Sequence, residues 1–443
     1  MRSKFTPFCL LFCLLALNVA LIGQKTDFSP YSRFGLGNVS NPNFLATKFM
    51  GDLSSAFQDP YQINVVNPAS LGTIASSSFD VGMHVGYSAI SDATKTQKTW
   101  NGNLNYISLA FPVKNQLNQL MERKKSDFNW GTGVSLLPFS TVGYSIKSND
   151  SLADIGKVVR GYQGAGGTYK FLWSNGVRWK QLSAGANVGF LFGKISRSRI
   201  VQFQDLIGPY DDVLNDDFNV NGFVWNIGVQ YNVVLEKPNK DKVKNKEGRN
   251  LIFGATWDAN HKVNLTQSTL YQRFSGVYSK YDTIEYVQDL KKKGTLPGSW
   301  SLGAVYQYGN QWKIGVDVSG VNWSNYSNDI QRDTLQNTFK IGLGAEWVPN
   351  VLSYNNYADR IRYRLGFVYQ SDPRHFAGGN PEYYSARFGV GLPLQKSRQI
   401  SFLNVGVELG YQGGDVPLTE TFFKFYLGAS LNDNGWFFKR KFQ

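Results

Sequence analysis

The chain has few of the residues that enzymes and metal sites use. It contains 2 Cys and 3 His among 443 residues. Both cysteines, Cys9 and Cys13, lie within the first 24 residues, and His84, His261 and His375 are widely separated. No Gly-x-Ser-x-Gly motif is present, so a serine nucleophile lacks its usual setting. If the first 24 residues are removed, disulfides and thiolate chemistry are excluded. The sequence therefore predicts neither an enzyme nor a metal or other cofactor.

After residue 24 the sequence also lacks an apolar run that could cross a membrane as a helix. The longest apolar run extends from Phe8 to Ile22, follows Arg2 and Lys4, and ends in small and polar residues. It is shorter than the roughly 20 residues that a spanning helix needs. A basic start, an apolar middle and a small-residue end are typical of a secretory signal peptide. We therefore predict a cleaved export signal over residues 1–24.

What the sequence has instead is alternation of apolar residues with glycine or polar residues, most clearly over residues 400–432. In the final segment Phe423, Phe425 and Leu427 share one face, and Lys424 lies on the other, because side chains alternate along a strand. A Lys that faces lipid at the bilayer midplane costs roughly 2–4 kcal/mol. Lys424 is therefore predicted to face the lumen of a transmembrane β-barrel.

About 14 such strands can be counted between residues 77 and 433, and an even number is expected of a bacterial barrel. Their predicted starts are Phe79, Asn101, Phe128, Gly166, Leu182, Asn219, Asn250, Trp300, Trp312, Thr338, Ile361, Tyr383, Gln399 and Thr421. A sheet in lipid avoids unpaired edges only by closing on itself. We therefore predict an all-β fold, one antiparallel barrel over residues 76–433, in the outer membrane of a gram-negative bacterium. A secreted soluble all-β protein is the alternative.

The connections between strands are predicted to be unequal. If the chain enters from the periplasm, the odd-to-even connections lie outside the cell, where longer loops are expected. The longest of them is predicted from Ser275 to Leu296, whereas two inner turns shrink to Lys180-Gln181 and Gly309-Asn310. Among the inner connections, residues 114–126 have a helix-compatible pattern, and 237–249 form a charge run that solvation explains.

Charged residues on the predicted inward faces form a set of mixed sign. The set consists of Lys313, Asp317, Lys340, Glu346, Arg362, Arg364, Arg387, Glu408 and Lys424. Such a set more often holds a segment inside the barrel through salt bridges than it conducts ions. The whole chain has 46 basic and 32 acidic residues, but the basic residues are dispersed among turns and strand faces. We therefore predict no nucleic-acid partner, since binding needs a concentrated basic patch.

Residues 25–75, between the signal and the first strand, lack strand alternation and are predicted to plug the lumen. In this segment Asn67, Pro68, Ala69 and Leu71 resemble the hatch signature of the outer-membrane long-chain fatty-acid transporter (FadL-like) superfamily, an Asn-Pro-Ala followed closely by Leu. Asn can bond its own backbone and Pro fixes φ, which suits a rigid turn. Leu296–Gly303 and Val134–Ser140 are similar to two further segments of that family, a proline-led strand start and the third strand.

The resemblance implies 14 strands and passive uptake of hydrophobic small molecules through a plugged barrel. In the family a kink in the third strand opens the wall toward the bilayer, so Pro138, Phe139 and Ser140 would mark a lateral opening. The alternative is that Pro138 merely bends the strand toward a loop, because bulges serve both purposes. Four aromatic residues of the hatch either line a ligand pocket or only pack the plug. They are Phe44, Phe49, Phe57 and Tyr61.

A second functional hypothesis follows from the same resemblance, since some members of the superfamily are partner barrels in secretion or assembly complexes. Two stretches depart from a plain transporter: residues 31–37, and the basic aromatic tail 434–443. The tail is interpreted either as an interfacial anchor or as a periplasmic docking peptide. The expected partners are therefore outer-membrane lipid, together with either a hydrophobic ligand or proteins of such a complex.

Overall fold

The structure is a computed structural model, and seven stretches of the chain are described. They are residues 29–113, 127–153, 155–236, 248–330, 334–376, 379–396 and 399–433. Several predictions concern residues outside this part: the signal peptide, the helix-compatible connection 114–126, most of the charge run 237–249, and the tail 434–443. Within the described stretches, none of the helices combines the length and the apolarity that crossing a membrane requires.

The described residues form one sheet of 18 strands, in which neighbouring strands run antiparallel. The strands are β1 (Asn38–Val39), β2 (Ser77–Ser91), β3 (Thr96–Pro112), β4 (Phe128–Leu152), β5 (Gly156–Trp179), β6 (Leu182–Phe203), β7 (Tyr210–Glu236), β8 (Arg249–Asp258), β9 (His261–Ser275), β10 (Lys280–Leu296), β11 (Ser299–Tyr308), β12 (Trp312–Val321), β13 (Ser327–Asn328), β14 (Thr338–Trp347), β15 (Arg362–Ser371), β16 (Glu382–Lys396), β17 (Gln399–Gly413) and β18 (Thr419–Asp433). Within the described stretches, helical structure is limited to short pieces, namely α1 (Leu45–Lys48) and 3-10 turns at Pro30–Arg33, Pro68–Thr73, Trp323–Asn325 and Ala358–Arg360.

The wall of the barrel has 14 strands, which confirms the number predicted from the sequence. β8 and β9 continue one another across residues 259–260, and β10 and β11 do so across Pro297 and Gly298; β8 pairs with β11, and β9 pairs with β10. β1 and β13 are two-residue strands that add to the sheet without spanning the wall. β18 pairs with β2 over their whole length, from Thr419 opposite Ser91 to Asp433 opposite Ser77, and thereby closes the barrel.

The two faces of the wall have opposite character. Apolar side chains of β14–β17 point outward and are about half exposed, as Leu343, Phe367 and Leu409 show at 51%, 53% and 58%. Charged side chains on the same strands point inward and are buried, such as Arg364 and Glu408 at 1%. An apolar exterior around a polar interior is the pattern of a transmembrane barrel and the reverse of a water-soluble protein. The prediction made from strand alternation is therefore confirmed.

Aromatic residues form a girdle at each end of the wall. At the end of the wall where β2 begins and β18 ends, Trp347 lies between Trp312 and Tyr363, with both ring centroids 5.7 Å away; we call this end the lower girdle. At the opposite end Tyr87 lies 5.2 Å from Trp100, and other aromatic pairs continue this upper girdle around the wall. These pairs are Tyr369 with Tyr384, and Trp225 with Trp257. Such girdles mark the two interfaces of a bilayer.

Six strands extend well beyond the upper girdle, and we call the projecting part of β4–β7, β9 and β10 the upper sheet. The prediction of a long loop from Ser275 to Leu296 is therefore wrong, because β10 occupies residues 280–296 of that stretch. β5 and β7 likewise begin at Gly156 and Tyr210, about ten residues before their predicted starts. Above the membrane a strand needs no apolar outward face, so the alternation used for prediction is lost there although the hydrogen-bonded ladder continues.

Candidate functional site: the inner segment, its ion pairs and the pairing gap

Residues 29–76, which we call the inner segment, lie inside the barrel and pack against inward glycines of the wall. A Cβ atom added at Gly344 would lie 2.1 Å from the Met50 carbonyl oxygen, and one at Gly366 would lie 2.0 Å from the Gly51 nitrogen. Lower in the barrel, a Cβ at Gly176 would lie 2.2 Å from the Pro68 carbonyl oxygen. Glycine at these positions lets the backbone of the inner segment contact the backbone of the wall.

The Asn-Pro-Ala-Ser-Leu motif forms a turn near the lower end of the barrel. Asn67 precedes the 3-10 turn, and its side-chain oxygen accepts a hydrogen bond of 3.1 Å from the Ala69 N–H. Its side-chain nitrogen donates to the Ser55 carbonyl at 2.6 Å and so joins two parts of the inner segment. Pro68 starts the turn, and Leu71 is buried beneath it. The motif is thus a buried structural turn just before β2.

A first ion-pair cluster connects the inner segment to β12, β14 and β15. Asp59 Oδ2 lies 2.9 Å from Lys313 Nζ and 2.6 Å from Arg362 Nη1. Lys313 also lies 3.1 Å from Glu346, and Arg364 Nε lies 2.7 Å from Glu346. Two of the predicted inward cations therefore bind the Asp59 carboxylate, and Glu346 and Arg364 extend the cluster along the wall.

A second ion-pair cluster lies higher in the barrel around Asp52. Arg387 Nη1 lies 2.7 Å from Asp52 Oδ1, and Lys340 Nζ lies 3.7 Å from Asp52 Oδ2. Arg387 Nε also donates to Glu408 at 2.8 Å. Asp52 has no exposed surface, and Arg387 and Glu408 are 3% and 1% exposed. The two clusters together hold the middle of the inner segment against one side of the wall.

The last two predicted inward residues also make contacts of another kind. Asp317 accepts hydrogen bonds from the backbone N–H groups of Ser54 and Ser55, at 3.2 and 2.8 Å, and so also contacts the inner segment. Lys424 points its ammonium group toward the Phe422 ring, 4.7 Å from the ring centroid. Asp317 thus holds the backbone of the inner segment, and the Lys424 ammonium group lies near an aromatic ring of its own strand.

Burial and the neighbouring cations have opposite effects on Asp52 and Asp59, which lie outside the spanning strands. Burial raises the pKa of Asp59, but Arg362 and Lys313 outweigh burial and hold its pKa well below the usual range. Burial likewise raises the pKa of Asp52, and Arg387 and Lys340 lower it below the usual value. Both carboxylates are therefore charged at neutral pH, as buried ion pairs require.

Sequence reasoning missed Asp52 and Asp59 as members of this network. The predicted inward set has six cations and three carboxylates, an imbalance that calls for negative charge from elsewhere. Asp52 and Asp59 are the two acidic residues between positions 29 and 76. That charge balance is the signal that could have identified them.

The upper end of the inner segment is held by the connection between β15 and β16. Arg374 Nη1 donates to the Tyr31 carbonyl at 2.5 Å and to the Asn38 side-chain oxygen at 2.8 Å. Ser29 Oγ donates to Glu420 at 3.1 Å, at the start of β18. The unusual stretch 31–37 is therefore packed at the upper end of the barrel.

The wall contains a pairing gap where β3 and β4 separate. The two strands stop pairing above Ile107, which lies opposite Leu136. β4 then has a bulge between Pro138 and Ser140 in its ladder with β5. Within the described residues, β3 continues upward to Thr96 with a ladder to β2 alone. Pro138, Phe139 and Ser140 thus lie at the start of the pairing gap, since proline cannot donate to a ladder.

The inner segment covers the β4 side of the pairing gap. Val39 of β1 lies opposite Ser140 in an antiparallel register, and the Ser40 N–H donates to the Phe139 carbonyl at 2.8 Å. β1 is therefore a short strand that the inner segment adds to the wall. It continues the ladder past Pro138, where β3 no longer contributes.

A cavity of about 230 Å³ lies between this region and the opposite wall. Its lining includes Val39, Leu137, Pro138, Phe139, Leu172 and Trp225. Polar groups also reach it: the Lys170 ammonium lies 4.4 Å from the Phe139 ring, and His261 Nε2 lies 2.5 Å from Asp258. The cavity is thus mainly apolar with a few charged groups, which is the usual character of a small-molecule site.

The aromatic residues proposed as pocket residues lie elsewhere. Phe44 stacks on Tyr106 with ring centroids 4.0 Å apart, and Phe49 packs edge-on against Tyr426 at 5.9 Å. Phe57 is fully buried near Lys313. Neither these residues nor Tyr61 line the cavity. Of the two interpretations, the structure therefore favours the first for none of the three Phe residues: they pack the core of the inner segment and do not contact the cavity.

Comparisons with solved structures define the class of barrel. A FadL homologue of Pseudomonas aeruginosa has a TM-score of 0.57 at 15% identity, over 89% of this chain and 100% of that chain. The toluene transporter TbuX of Ralstonia pickettii has a TM-score of 0.54 at 14% identity, over 88% and 98%. The toluene transporter TodX of P. putida has a TM-score of 0.53 at 14% identity, over 87% and 97%. The fold is therefore that of the FadL homologue and these toluene transporters, which confirms the resemblance at the level of the fold.

Comparison with family models assigns the chain to a narrower group than the fold does. The family model of BamG matches residues 4–443, so this chain belongs to the BamG family. No curated protein sequence matches the chain. Because identity to the solved barrels is low, their similarity shows a common fold and leaves the activity open.

Proposed function

We propose that the protein is a partner barrel that works within a protein complex of the gram-negative outer membrane, and is not itself an open transport path. The attachment of the inner segment carries this proposal. Asp52 and Asp59 are bound by four wall cations, and β1 is added to the ladder of β4. Breaking a buried ion pair by removing one partner costs about 3–5 kcal/mol. An inner segment fixed in this way opposes the passage of a substrate through the lumen.

The upper sheet supports the same proposal, because it supplies a surface outside the membrane. Its connections expose large apolar side chains, including Ile207 at 104% and Tyr278 at 76%. Exposed apolar groups beyond the bilayer are typical of protein contact surfaces when they cluster. The barrel thus combines a fixed interior with a projecting surface, which suits a scaffold better than a channel.

The proposal is tested by extracting the tagged protein gently from its native outer membrane and identifying everything that co-purifies by mass spectrometry. Stoichiometric recovery of the same proteins from independent extractions supports the partner function. A second tagged barrel of the same membrane, expressed at a similar level, controls for nonspecific recovery. A barrel that is recovered without protein partners overturns the proposal.

A second candidate function is the binding and uptake of a small hydrophobic compound, and the cavity beside Pro138 favours it. An apolar cavity of about 150 Å³ is large enough for benzene, and this cavity has about 230 Å³. If the site binds such a compound, toluene should raise the unfolding temperature of the purified barrel, because ligands stabilise the state they bind. Leu172→Trp, which fills the cavity, should remove that shift. An unchanged unfolding temperature at saturating toluene would contradict this function.

A further inference from the structure

β3 presents a strand edge at membrane depth that no other described strand covers. Below the pairing gap, β3 pairs with β4 as far as Ile107. From Tyr106 up to Gly102, its ladder is with β2 alone among the described residues. Trp100, two residues further up, belongs to the upper girdle. Residues 102–106 therefore lie between the two girdles, at the depth of the hydrocarbon.

At this depth lipid cannot form hydrogen bonds with the backbone groups of a strand edge. Hydrocarbon supplies no hydrogen-bond donors or acceptors, and for that reason sheets in membranes avoid exposed edges. Part of the edge is capped locally, because the Leu104 N–H donates to the Asn103 side-chain oxygen at 2.8 Å. One side-chain cap serves one donor, whereas a stretch of five residues presents alternating donors and acceptors.

The opposite side of the same gap shows what kind of group fits there. The inner segment places β1 along β4, with Val39 opposite Ser140 in antiparallel register. The gap thus already accepts an extended polypeptide on one side. Addition of a strand to a free edge is a general mode of peptide recognition in which backbone hydrogen bonds supply affinity.

We propose that the β3 edge from Gly102 to Tyr106 accepts an extended strand from a second protein of the same membrane. This inference rests on the proposed partner function and assigns a surface to it. The side chains of that strand would alternate. Those on the Leu104 face would be apolar, because the neighbouring Met83 and Val85 of β2 face outward at 47% and 48% exposure. Those on the other face would be small or polar, since they point toward the inner segment.

The test uses a photo-crosslinking amino acid placed at Leu104 in the full-length protein, in its native outer membrane. Leu104 lies opposite Met83 and shares its outward face. The matched control places the same probe at Leu365, an outward residue of β15 that is paired on both sides, with Ala345 and with Phe388. Both variants are first shown to fold by the heat-dependent shift of the barrel on a denaturing gel. We expect a protein adduct from Leu104 and none from Leu365.

The outcomes separate this inference from the function on which it rests. If partners co-purify with both variants but irradiation gives no protein adduct at Leu104, or equal adducts at both positions, the edge is not the docking surface and the partner function stands. If the Leu104 probe reacts with lipid alone, the edge faces the bilayer and the inference is wrong. If no partner co-purifies at all, both the inference and the partner function fail.

Discussion

At the residue scale, two carboxylates hold the inner segment in place. Asp59 lies between Lys313 and Arg362, and Asp52 lies within reach of Arg387 and Lys340. Both carboxylates are buried, so removing either one takes a counter-charge away from two wall cations at once. The stability of the folded barrel should therefore depend on these two residues far more than on acidic residues at the surface.

Asp59→Asn should destabilise the folded barrel by about 3 kcal/mol, because Lys313 and Arg362 would lose a buried counter-charge. The measurement is the temperature at which the folded band converts to the unfolded band on a denaturing gel. Asp415→Asn, in the exposed connection between β17 and β18, is the matched control and should leave the conversion temperature unchanged. Equal conversion temperatures for the two variants would contradict this assignment.

Lowering the pH should weaken the attachment of the inner segment to the wall only below the ordinary pKa of aspartate. The pKa values of Asp52 and Asp59 are lowered in the folded barrel, so the unfolded chain binds more protons at low pH. Their contribution to stability is therefore complete above about pH 4 and is lost as pH falls toward the folded pKa values. Conversion temperatures should agree at pH 7 and pH 5 and fall at pH 3. In Asp59→Asn the fall should be smaller, and a full loss already at pH 5 would refute the explanation.

At the element scale, the wall strands are shaped by what lies inside them. β14 and β15 carry inward glycines where Met50 and Gly51 pass, so that backbone meets backbone. The same strands carry large apolar residues on the outward face, which needs only to match lipid. Inward and outward positions thus follow different rules along a single strand.

Gly366→Ala should interfere with the docking of the inner segment, since the new Cβ would lie 2.0 Å from the Gly51 nitrogen. Overpacking of this kind typically costs about 1–3 kcal/mol. Gly161→Ala in β5 is the matched control, because the nearest atom to its new Cβ lies 3.9 Å away. Protease sensitivity of the inner segment and the conversion temperature report the difference. Identical behaviour of the two variants would mean that the close contact is not required.

The strands could be predicted from the sequence where the membrane imposes a pattern, and not beyond it. β17 and β18 alternate strictly because one face meets lipid and the other the lumen. β10 was predicted as a loop because its sequence from Lys280 to Lys293 has no apolar period. In the structure the side chains of this stretch are mostly exposed on both faces, so neither face requires such a period. The inward charged set was predicted from the same alternation. Its partners Asp52 and Asp59 were not, because an irregular segment has no period that reveals which residues face the wall.

At the scale of the whole molecule, the barrel combines the fold of known transporters with a fixed interior and a projecting upper sheet. The cavity beside Pro138 keeps small-molecule binding open as a second function. The ion-paired inner segment and the exposed surface favour work with other proteins instead. These two functions predict different masses for the particle that is extracted from the membrane. A partner barrel is extracted together with other proteins, whereas a transporter that works alone is extracted as a single barrel.

The most direct test is therefore the mass of the particle extracted from the native outer membrane in mild detergent, measured by native mass spectrometry. The partner function predicts a particle of defined composition that contains this chain and at least one further protein, and that persists on dilution. A population that consists entirely of single barrels, with or without a bound apolar compound, would contradict the account.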